Sequence, residues 1–216
     1  MRAIVLPVKA LDEAKSRLSA VLAPLERAAL TLAMLEDVLD ATLVMPGWTS
    51  WVISPDEAVL EVAARRGARP ITEETPSLAA AIRQTEEEAQ ARGLDALAIV
   101  LPDTPLLTPT GLTRTLHTLG PVVLAPSADG AGTNIVLRRG PAAIASHLGK
   151  DSFRKHLQAA AEAGLPVAVV ESEETGFDLD LPGDILTVLR ARRKGRTRAV
   201  LLEIDAEPRL EAGTGG

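Results

Sequence analysis

Three aspartates in this sequence have the surroundings and the spacing of a metal site. Asp103 comes directly after the apolar run 97–102, and Asp178 and Asp180 stand two residues apart in the mostly apolar segment 177–181. Because successive side chains of a strand point to opposite faces, Asp178 and Asp180 are expected to project to the same side. Neighbouring carboxylates repel each other unless a cation joins them, and Mg²⁺ binds a few carboxylate oxygens together with substrate phosphates. The aspartates therefore predict a Mg²⁺ site and phosphate chemistry.

Each of these aspartates also has a simpler explanation. An aspartate before Thr-Pro, as Asp103 is, commonly serves as a turn residue. A strand end exposed to water would tolerate Asp178 and Asp180 without a metal. The combination of all three residues favours the metal site more than any one of them does.

A second set of candidates is basic and follows the first apolar run. Lys9, Lys15 and Arg17 come soon after the run 3–8 and could neutralise a triphosphate through charge-assisted hydrogen bonds. The sequence has no Walker-type glycine loop, which disfavours a P-loop enzyme. The alternative is an ordinary exposed helix in which Glu13 pairs with Arg17 four residues later.

Two glycine-containing segments resemble anion-binding cradles. The turn 129–134 carries Thr133, and the segment 148–156 places Gly149 and Ser152 at the start of a predicted helix, where free backbone N–H groups attract anions. The alternatives are a plain glycine turn and simple N-capping by Asp151 or Ser152. The three histidines lack zinc spacing and are interpreted as surface or helix residues.

Composition excludes several function classes. A net charge of −6 and an aromatic content of 2% argue against a nucleic-acid-binding surface. The absence of cysteine excludes disulfides, thiolate zinc sites and a cysteine nucleophile. The apolar run at residues 3–8 is too short for a signal peptide or a membrane span. We therefore expect a cytoplasmic protein without a nucleic-acid or membrane partner.

Short apolar runs alternate with amphipathic helical patterns along most of the chain. Strands are predicted at 3–8, 50–53, 96–101, 122–125, 135–137 and 166–170, and helices at 25–43, 55–66, 78–92, 109–119 and 152–163. Strands separated by helices imply right-handed crossovers and a single α/β, Rossmann-like domain with a mostly parallel, mixed sheet. Ligands of such sheets bind at the carboxyl ends of the strands, where Asp103 is expected.

The end of the chain differs in composition from the rest. We predict a domain over residues 1–193 and an extension over 194–216, with a last strand at 199–204 and a frayed tail from 207. A basic cluster spans the junction and consists of Arg190, Arg192, Arg193, Lys194, Arg196 and Arg198. Its side chains are either solvated or grip nucleotide phosphates.

Several of these segments together resemble a known enzyme family, the 2-phospho-L-lactate / phosphoenolpyruvate guanylyltransferases of coenzyme F-420 biosynthesis. The resemblance lies in Leu6-Pro7-Val8-Lys9, Ala14-Lys15-Ser16-Arg17-Leu18, Pro102-Asp103-Thr104-Pro105, Gly132-Thr133-Asn134, Gly149 through Ser152-Phe153 with His156, and Leu179-Asp180-Leu181-Pro182. It implies a glycosyltransferase-A-like nucleotidyltransferase that uses GTP and a small phospho-carboxylic acid. By the same resemblance Asp103, Asp178 and Asp180 hold Mg²⁺, Thr133, Gly149 and Ser152 hold the acceptor, and Lys9, Lys15 and Arg17 face the GTP phosphates. A homodimer and a hand-off of product to the next enzyme stay open.

The chain departs from the family pattern near the expected nucleotide site. Thr104 stands where the family often has leucine, and Ser77-Leu78-Ala79 replaces a Gly-Leu-Asn segment. Leu148, directly before Gly149, stands where the family has an aromatic residue. The alternatives are a related nucleotidyltransferase with a sugar-phosphate or molybdopterin acceptor, and a non-catalytic nucleotide-binding domain.

Overall fold

The protein folds around one seven-stranded sheet with helices on both faces. The computed structural model describes residues 1–212. The strands are β1 (Arg2–Pro7), β2 (Thr49–Ser54), β3 (Arg69–Thr72), β4 (Ala96–Val100), β5 (Val122–Pro126), β6 (Thr133–Arg139) and β7 (Val167–Val169). Their order is β3-β2-β1-β4-β6-β5-β7, and β6 runs antiparallel to both of its neighbours while the other pairs are parallel. The predicted α/β fold with a mostly parallel, mixed sheet is confirmed.

The helices fill the connections between the strands and then close the chain. They are α1 (Pro24–Thr42), α2 (Glu57–Arg66), α3 (Leu78–Ala91), α4 (Pro109–His117), α5 (Ser152–Glu162), α6 (Glu173–Gly176), α7 (Pro182–Arg190), α8 (Arg196–Glu203) and α9 (Ala206–Ala212). Pro24, Pro109 and Pro182 each open a helix, where a missing N–H costs nothing. Within residues 1–212, none of these helices combines the length and the apolar character needed to cross a membrane.

The strands are apolar at nearly every position because both faces of the sheet are covered. Ile4 and Leu6 of β1 pack with α1, α2 and α4 on one face, whereas Ala3 and Val5 pack with α3 on the other. Further along the sheet, β5 and β6 pack against α5. The alternation of faces along each strand thus fixes which helix covers which side.

The strand order brings the candidate residues to one edge of the sheet. β1 lies between β2 and β4, so the carboxyl ends of β1 and β4 are adjacent at the point where the connections diverge. The loop after β1 carries Lys9 through Arg17, and the loop after β4 carries Asp103. Because β6 is antiparallel to β4, its first residue, Thr133, lies at this same edge.

The C-terminal extension is helical, so two predictions about it are wrong. Residues 199–204 belong to or directly follow α8 and form no strand, and residues 207–212 lie in α9. The rest of the predicted frayed tail lies outside the described residues. In α8 the buried residues are Thr197 and Leu201, four positions apart, whereas the neighbouring Leu202 is half exposed. This helical spacing is hidden in the sequence by a short apolar run that also suits a strand.

A buried carboxylate from α1 caps α8 across the molecule. Asp37 is 1% exposed, and its two carboxylate oxygens accept the backbone N–H groups of Arg196 (2.8 Å) and Thr197 (2.9 Å). These are N–H groups that no partner within the helix can satisfy. A residue about 160 positions earlier in the sequence therefore fixes where α8 begins.

Two members of the basic cluster hold the extension in place. Arg193 donates hydrogen bonds to the carbonyl oxygens of Leu107 and Asp37, and Arg196 forms an ion pair of 2.6 Å with Asp40. For these two arginines the interpretation as solvated side chains is wrong, because both make defined contacts with the protein, whereas phosphate binding by the cluster stays a prediction. They attach the C-terminal helices to α1.

Replacing Gly195 with alanine is expected to destabilise the protein. A Cβ at this position would overlap the Asp37 carboxylate, which cannot move aside without losing the cap of α8. Overpacking of this kind costs about 1–3 kcal/mol. Urea unfolding of Gly195→Ala should show a lower midpoint. The matched control is Gly183→Ala, where an added Cβ meets nothing within 4 Å, and equal midpoints for the two variants would contradict the cap.

Candidate active site

Lys15 joins two of the three candidate aspartates. Its Nζ lies 3.0 Å from Oδ2 of Asp103 and 2.8 Å from Oδ1 of Asp180, and its side chain is only 9% exposed. Burial disfavours the charged ammonium, but the Asp103 and Asp180 carboxylates outweigh that effect and raise the pKa of Lys15 above its ordinary value. Lys15 adopts a left-handed backbone conformation (φ 50°), which is strained for a residue with a side chain. The two ion pairs offset that strain.

Asp178 is the third carboxylate of the group. Burial, together with the charges of Asp103 and Asp180, raises the pKa of Asp178 to about 6. Oδ1 of Asp103 is buried and accepts no hydrogen bond from the described part of the protein. The positive charge of Lys15 does not balance the three carboxylates, and one buried carboxylate oxygen has no hydrogen-bond donor. A bound cation is what such a site needs.

The segment that carries Asp178 and Asp180 is not the predicted strand. It is extended and unpaired in the sheet, and the Leu179 N–H donates to the carbonyl oxygen of Asp103 (2.9 Å). Leu179 is fully buried, which leaves the two flanking aspartates on the outer side. Leu181 is 53% exposed, so the alternation of a strand does not continue past Asp180. The Asp184 carboxylate then accepts the N–H groups of Asp180 and Leu181 at the start of α7.

The other two basic candidates are more exposed than Lys15. Arg17 Nη1 lies 3.4 Å from Oδ2 of Asp180, with 70% of the arginine side chain exposed. Lys9 is exposed and has no hydrogen-bond or ion-pair partner in the described residues. The alternative of a regular helix with a Glu13–Arg17 pair is wrong: residues 11–15 form turns, a short 3-10 helix covers Ser16–Leu18, and no such pair occurs within the described chain.

The two predicted cradles meet at the start of α5. The N–H of Phe153 donates to the carbonyl oxygen of Ala131 (3.2 Å), so the glycine turn and the helix start are neighbours. Gly149 has a φ of 105°, which favours glycine, and Ser152 is buried. Asp151 occupies the N-cap position but its side chain makes no capping hydrogen bond. The capping alternative is therefore wrong for Asp151.

The glycine turn itself has few donors left for an anion. The Asp129 carboxylate accepts from the Ala131 N–H (2.9 Å), and Ser127 Oγ accepts from the Gly132 N–H (2.7 Å). A Cβ at Gly132 would lie 2.6 Å from that same Oγ, so only glycine fits. For residues 129–132 the plain-turn interpretation is correct, and the turn serves to place Thr133.

His156 lies in a helix, α5, which is one of the two interpretations given for the histidines, but it is not a surface residue, and its place in the site was missed. It is fully buried, with Nδ1 3.2 Å from Thr133 Oγ1 and Nε2 accepting the backbone N–H of His147 (2.9 Å). Because Nε2 accepts, the neutral ring carries its proton on Nδ1 and donates it to Thr133. The signal was present in the sequence: Ser152 and His156 are four residues apart and so share one face of α5.

His156 is expected to make the protein acid-sensitive. Burial, followed by the nearby charges of His147 and Arg138, lowers the pKa of His156 from 6.5 to about 4. Between pH 6.5 and about 4 the unfolded chain therefore binds more protons at this residue than the folded protein does. The contribution of the neutral His156 to folding stability is full above pH 6.5 and is lost as the pH falls toward 4. The loss amounts to about 3 kcal/mol at 1.36 kcal/mol per unit.

Unfolding measured in denaturant across this pH range tests the role of His156. His156→Gln should flatten the dependence of the unfolding free energy on pH, whereas His117→Gln, at an exposed position, should leave it unchanged. An unaltered pH dependence in His156→Gln would show that another group causes the acid sensitivity.

Asp103, Asp178 and Asp180, here called the acidic group, form a partial rather than a complete metal cage. Across residues 1–212, no three histidine, cysteine, aspartate or glutamate side chains are arranged to hold one ion by themselves. Mg²⁺ does not need such a cage, since it is usually bound by one or two carboxylates, water and substrate phosphates. The unused buried oxygen of Asp103 and the excess negative charge around Asp178 fit that mode of binding.

Comparison with solved structures agrees with the fold. A protein from Desulfovibrio desulfuricans G20, whose name proposes that it is a nucleotide-diphospho-sugar transferase, superposes with a TM-score of 0.78 at 18% identity. The match covers 98% of this chain and 97% of the other. At this identity the likeness shows a shared fold.

Comparison with protein families and curated relatives goes further. A phosphoenolpyruvate guanylyltransferase of Rubrobacter xylanophilus is 41% identical over 184 residues, which cover 84% of this chain and 90% of the relative. A 3-phospho-D-glycerate guanylyltransferase of Phenylobacterium zucineum is 35% identical over 206 residues, covering 92% and 94%. The family model described as "Guanylyl transferase CofC like" matches residues 1–213. With the fold, the acidic group and these matches together, the chain belongs to the CofC-like guanylyltransferase family.

Proposed function

We propose that this protein transfers GMP from GTP to the phosphate of a small phosphorylated acid and releases pyrophosphate. The observation that carries the proposal is the convergence of Asp103, Asp178 and Asp180 around Lys15, at the edge of the sheet where ligands bind. The names of the relatives support the reaction class, and they differ in the acceptor.

The acceptor needs no general base for this reaction. A phosphate monoester has a second pKa near 6 and is largely dianionic at pH 7. One of its oxygens forms a bond to the α-phosphorus of GTP, the bond from that phosphorus to the bridging oxygen breaks, and pyrophosphate leaves with the electron pair. The difficulty is to bring two anions together, so charge neutralisation and in-line positioning supply most of the catalysis.

The residues of the acidic group divide this work. Asp103, Asp178 and Asp180 would hold Mg²⁺, which supplies charge neutralisation on the phosphates when it is bound. Lys15 is placed to give up one of its carboxylate contacts and donate to a phosphate oxygen. Arg17, which is mostly exposed, adds positive charge from outside the pocket.

The acceptor is proposed to bind where Thr133, Gly149 and Ser152 meet. The start of α5 favours an anionic group, and its N-cap side chain makes no competing hydrogen bond. The Nδ1–H of His156 donates a hydrogen bond to the Thr133 hydroxyl oxygen. The hydroxyl hydrogen is then free to be donated to the phosphorylated acid. Lys9 is assigned to the GTP side because its exposed side chain follows β1 directly.

The cellular setting forms the finer part of the proposal. Coenzyme F-420 biosynthesis, a cytoplasmic location, a homodimer and transfer of product to a following enzyme rest on the sequence resemblance. The identity of the acceptor, as phosphoenolpyruvate, 2-phospho-L-lactate or 3-phosphoglycerate, depends on a few atoms of the pocket.

The test is an acceptor screen with the purified protein. GTP and Mg²⁺ are incubated in turn with each of the three acids, a sugar phosphate and a molybdopterin, and nucleotide binding, pyrophosphate release and product mass are followed. We expect pyrophosphate and a GMP-linked product with at least one acid. Release only with a sugar phosphate or a molybdopterin would assign a different nucleotidyltransferase, and nucleotide binding without release under any condition would assign a non-catalytic domain.

A further inference from the structure

Asn134 lies between the two chain segments that carry the acidic group. It is the second residue of β6 and is 3% exposed. Its backbone carbonyl oxygen accepts the N–H of Leu101 (2.9 Å), in the turn that leads from β4 to Asp103. The backbone of Asn134 is thereby fixed relative to Asp103.

The side chain of Asn134 reaches in the other direction, to the segment before Asp178. Its Nδ2 donates to the carbonyl oxygens of Thr175 and Gly176, both at 3.1 Å. Both carbonyls end the one-turn helix α6, where no further turn of helix exists to satisfy them. The Gly176 carbonyl also accepts the backbone N–H of Ala128 (2.8 Å), whereas no other donor of the described residues contacts the Thr175 carbonyl. A buried carbonyl left without a donor is unfavourable, so the amide holds the Thr175 end of this segment in place.

The same amide group also approaches Asp178 itself. Nδ2 lies 3.5 Å from Oδ1 of Asp178, and no other hydrogen-bond donor from the described residues contacts that carboxylate. Downstream, Leu179 is tied to Asp103 and buried in the core, and Asp180 is tied to α7. The Asn134 side chain, together with the backbone N–H of Ala128, thus fixes the upstream end of a segment that has no strand pairing of its own.

We propose that Asn134 is a positioning residue that sets Asp178 against Asp103 for metal–nucleotide binding. The inference rests on the proposed function and goes beyond it, because Asn134 need not touch the substrate. The backbone of Asn134 joins β6 to the turn after β4, and its side-chain amide joins β6 to the end of α6. Loss of the amide therefore releases the segment of Asp178 while Asp103 stays in place, and neither carboxylate is removed.

The first test measures the segment in the metal-free protein. Asn134→Ala removes both amide hydrogens, and Asn134→Ser restores one donor. Hydrogen exchange at residues 175–180 should become about tenfold faster in Asn134→Ala, as expected for the loss of about 1.4 kcal/mol of local stability, and should partly recover in Asn134→Ser. Exchange in β1 and β2 should not change. The control is Thr85→Ala, which removes a buried hydroxyl bonded to the carbonyl of Ile82 on α3.

The second test measures binding of Mn²⁺ in the presence of GTP, without any acceptor acid. Asn134→Ala should weaken Mn²⁺ binding about tenfold, Asn134→Ser should recover part of it, and Thr85→Ala should bind like the wild type even if it is less stable. If Asn134→Ala binds Mn²⁺ with the same affinity as the wild type, the positioning role is overturned and the proposed function is not. Absence of binding in the wild type overturns the proposed function together with this role. Should Asn134→Ala fail to fold, Asn134→Ser carries the test with the same expected order.

Discussion

Asp103→Asn is expected to lower the turnover of GTP by on the order of 100- to 1000-fold while leaving the fold intact. Neutralising charge on a transferring phosphoryl group contributes several kcal/mol, and each 1.36 kcal/mol is a factor of ten in rate. Asparagine keeps the shape of the side chain, but it replaces one carboxylate oxygen with an amide nitrogen that cannot bind a cation. That oxygen is either Oδ1, which is buried without a hydrogen-bond partner, or Oδ2, which pairs with Lys15. Initial rates of pyrophosphate release measure the effect.

The control for this substitution is Asp12→Asn, the same change at an exposed position of the loop after β1. We expect it to keep wild-type turnover. Unfolding curves of both variants separate catalysis from stability. If Asp103→Asn folded normally and turned GTP over at the wild-type rate, Asp103 would be only the turn residue that Asp-Thr-Pro can also indicate.

Lys15→Met is expected to change stability and metal response in opposite directions. Without the ammonium, three carboxylates face one another in the metal-free protein, and breaking a buried pair costs about 3–5 kcal/mol. Since Asp180 is 37% exposed, solvent screening reduces the expected cost to about 2 kcal/mol. Added Mg²⁺ should then raise the melting temperature of the variant more than that of the wild type, because the cation replaces the missing charge. Turnover should fall nonetheless, since the donor to the GTP phosphates is gone.

Lys9→Met provides the comparison for Lys15→Met. Lys9 also precedes the candidate phosphate site but is exposed and unpaired among the described residues, so its loss should alter neither the stability nor the response to Mg²⁺. Thermal melts of both variants with and without Mg²⁺ give the result. A Lys15→Met protein that Mg²⁺ stabilised no more than the wild type would mean that the carboxylates do not share a cation.

The fold was predictable where it depends on local pattern. The runs that become β1 and β4 are apolar at nearly every position, as strands covered on both faces must be. β3 was missed because Arg69–Thr72 is short, contains Pro70 and pairs with β2 alone at the edge of the sheet. Residues 199–204 were mistaken for a strand because the start of α8 is set by Asp37, a residue about 160 positions away in the sequence, and no local pattern indicates this contact.

The site was predictable to the extent that it follows from strand ends. Asp103 could be placed at the edge of the sheet because it follows β4. Asp178 and Asp180 could be recognised as further candidate ligands because two carboxylates stand two residues apart in an apolar segment. The partners that orient these groups could not be found in this way. Asn134 meets Asp178 across 44 residues, and His156 meets Thr133 across 23, so both depend on the order of strands and on the path of loops.

Equilibrium binding of Mn²⁺ to the wild type, Asp103→Asn and Asp180→Asn, each with GTP present, tests most directly whether the acidic group binds the metal–nucleotide complex. The account predicts tight binding by the wild type and a loss of about tenfold or more in each variant, since each removes one charged ligand. Equal binding by all three proteins would contradict it.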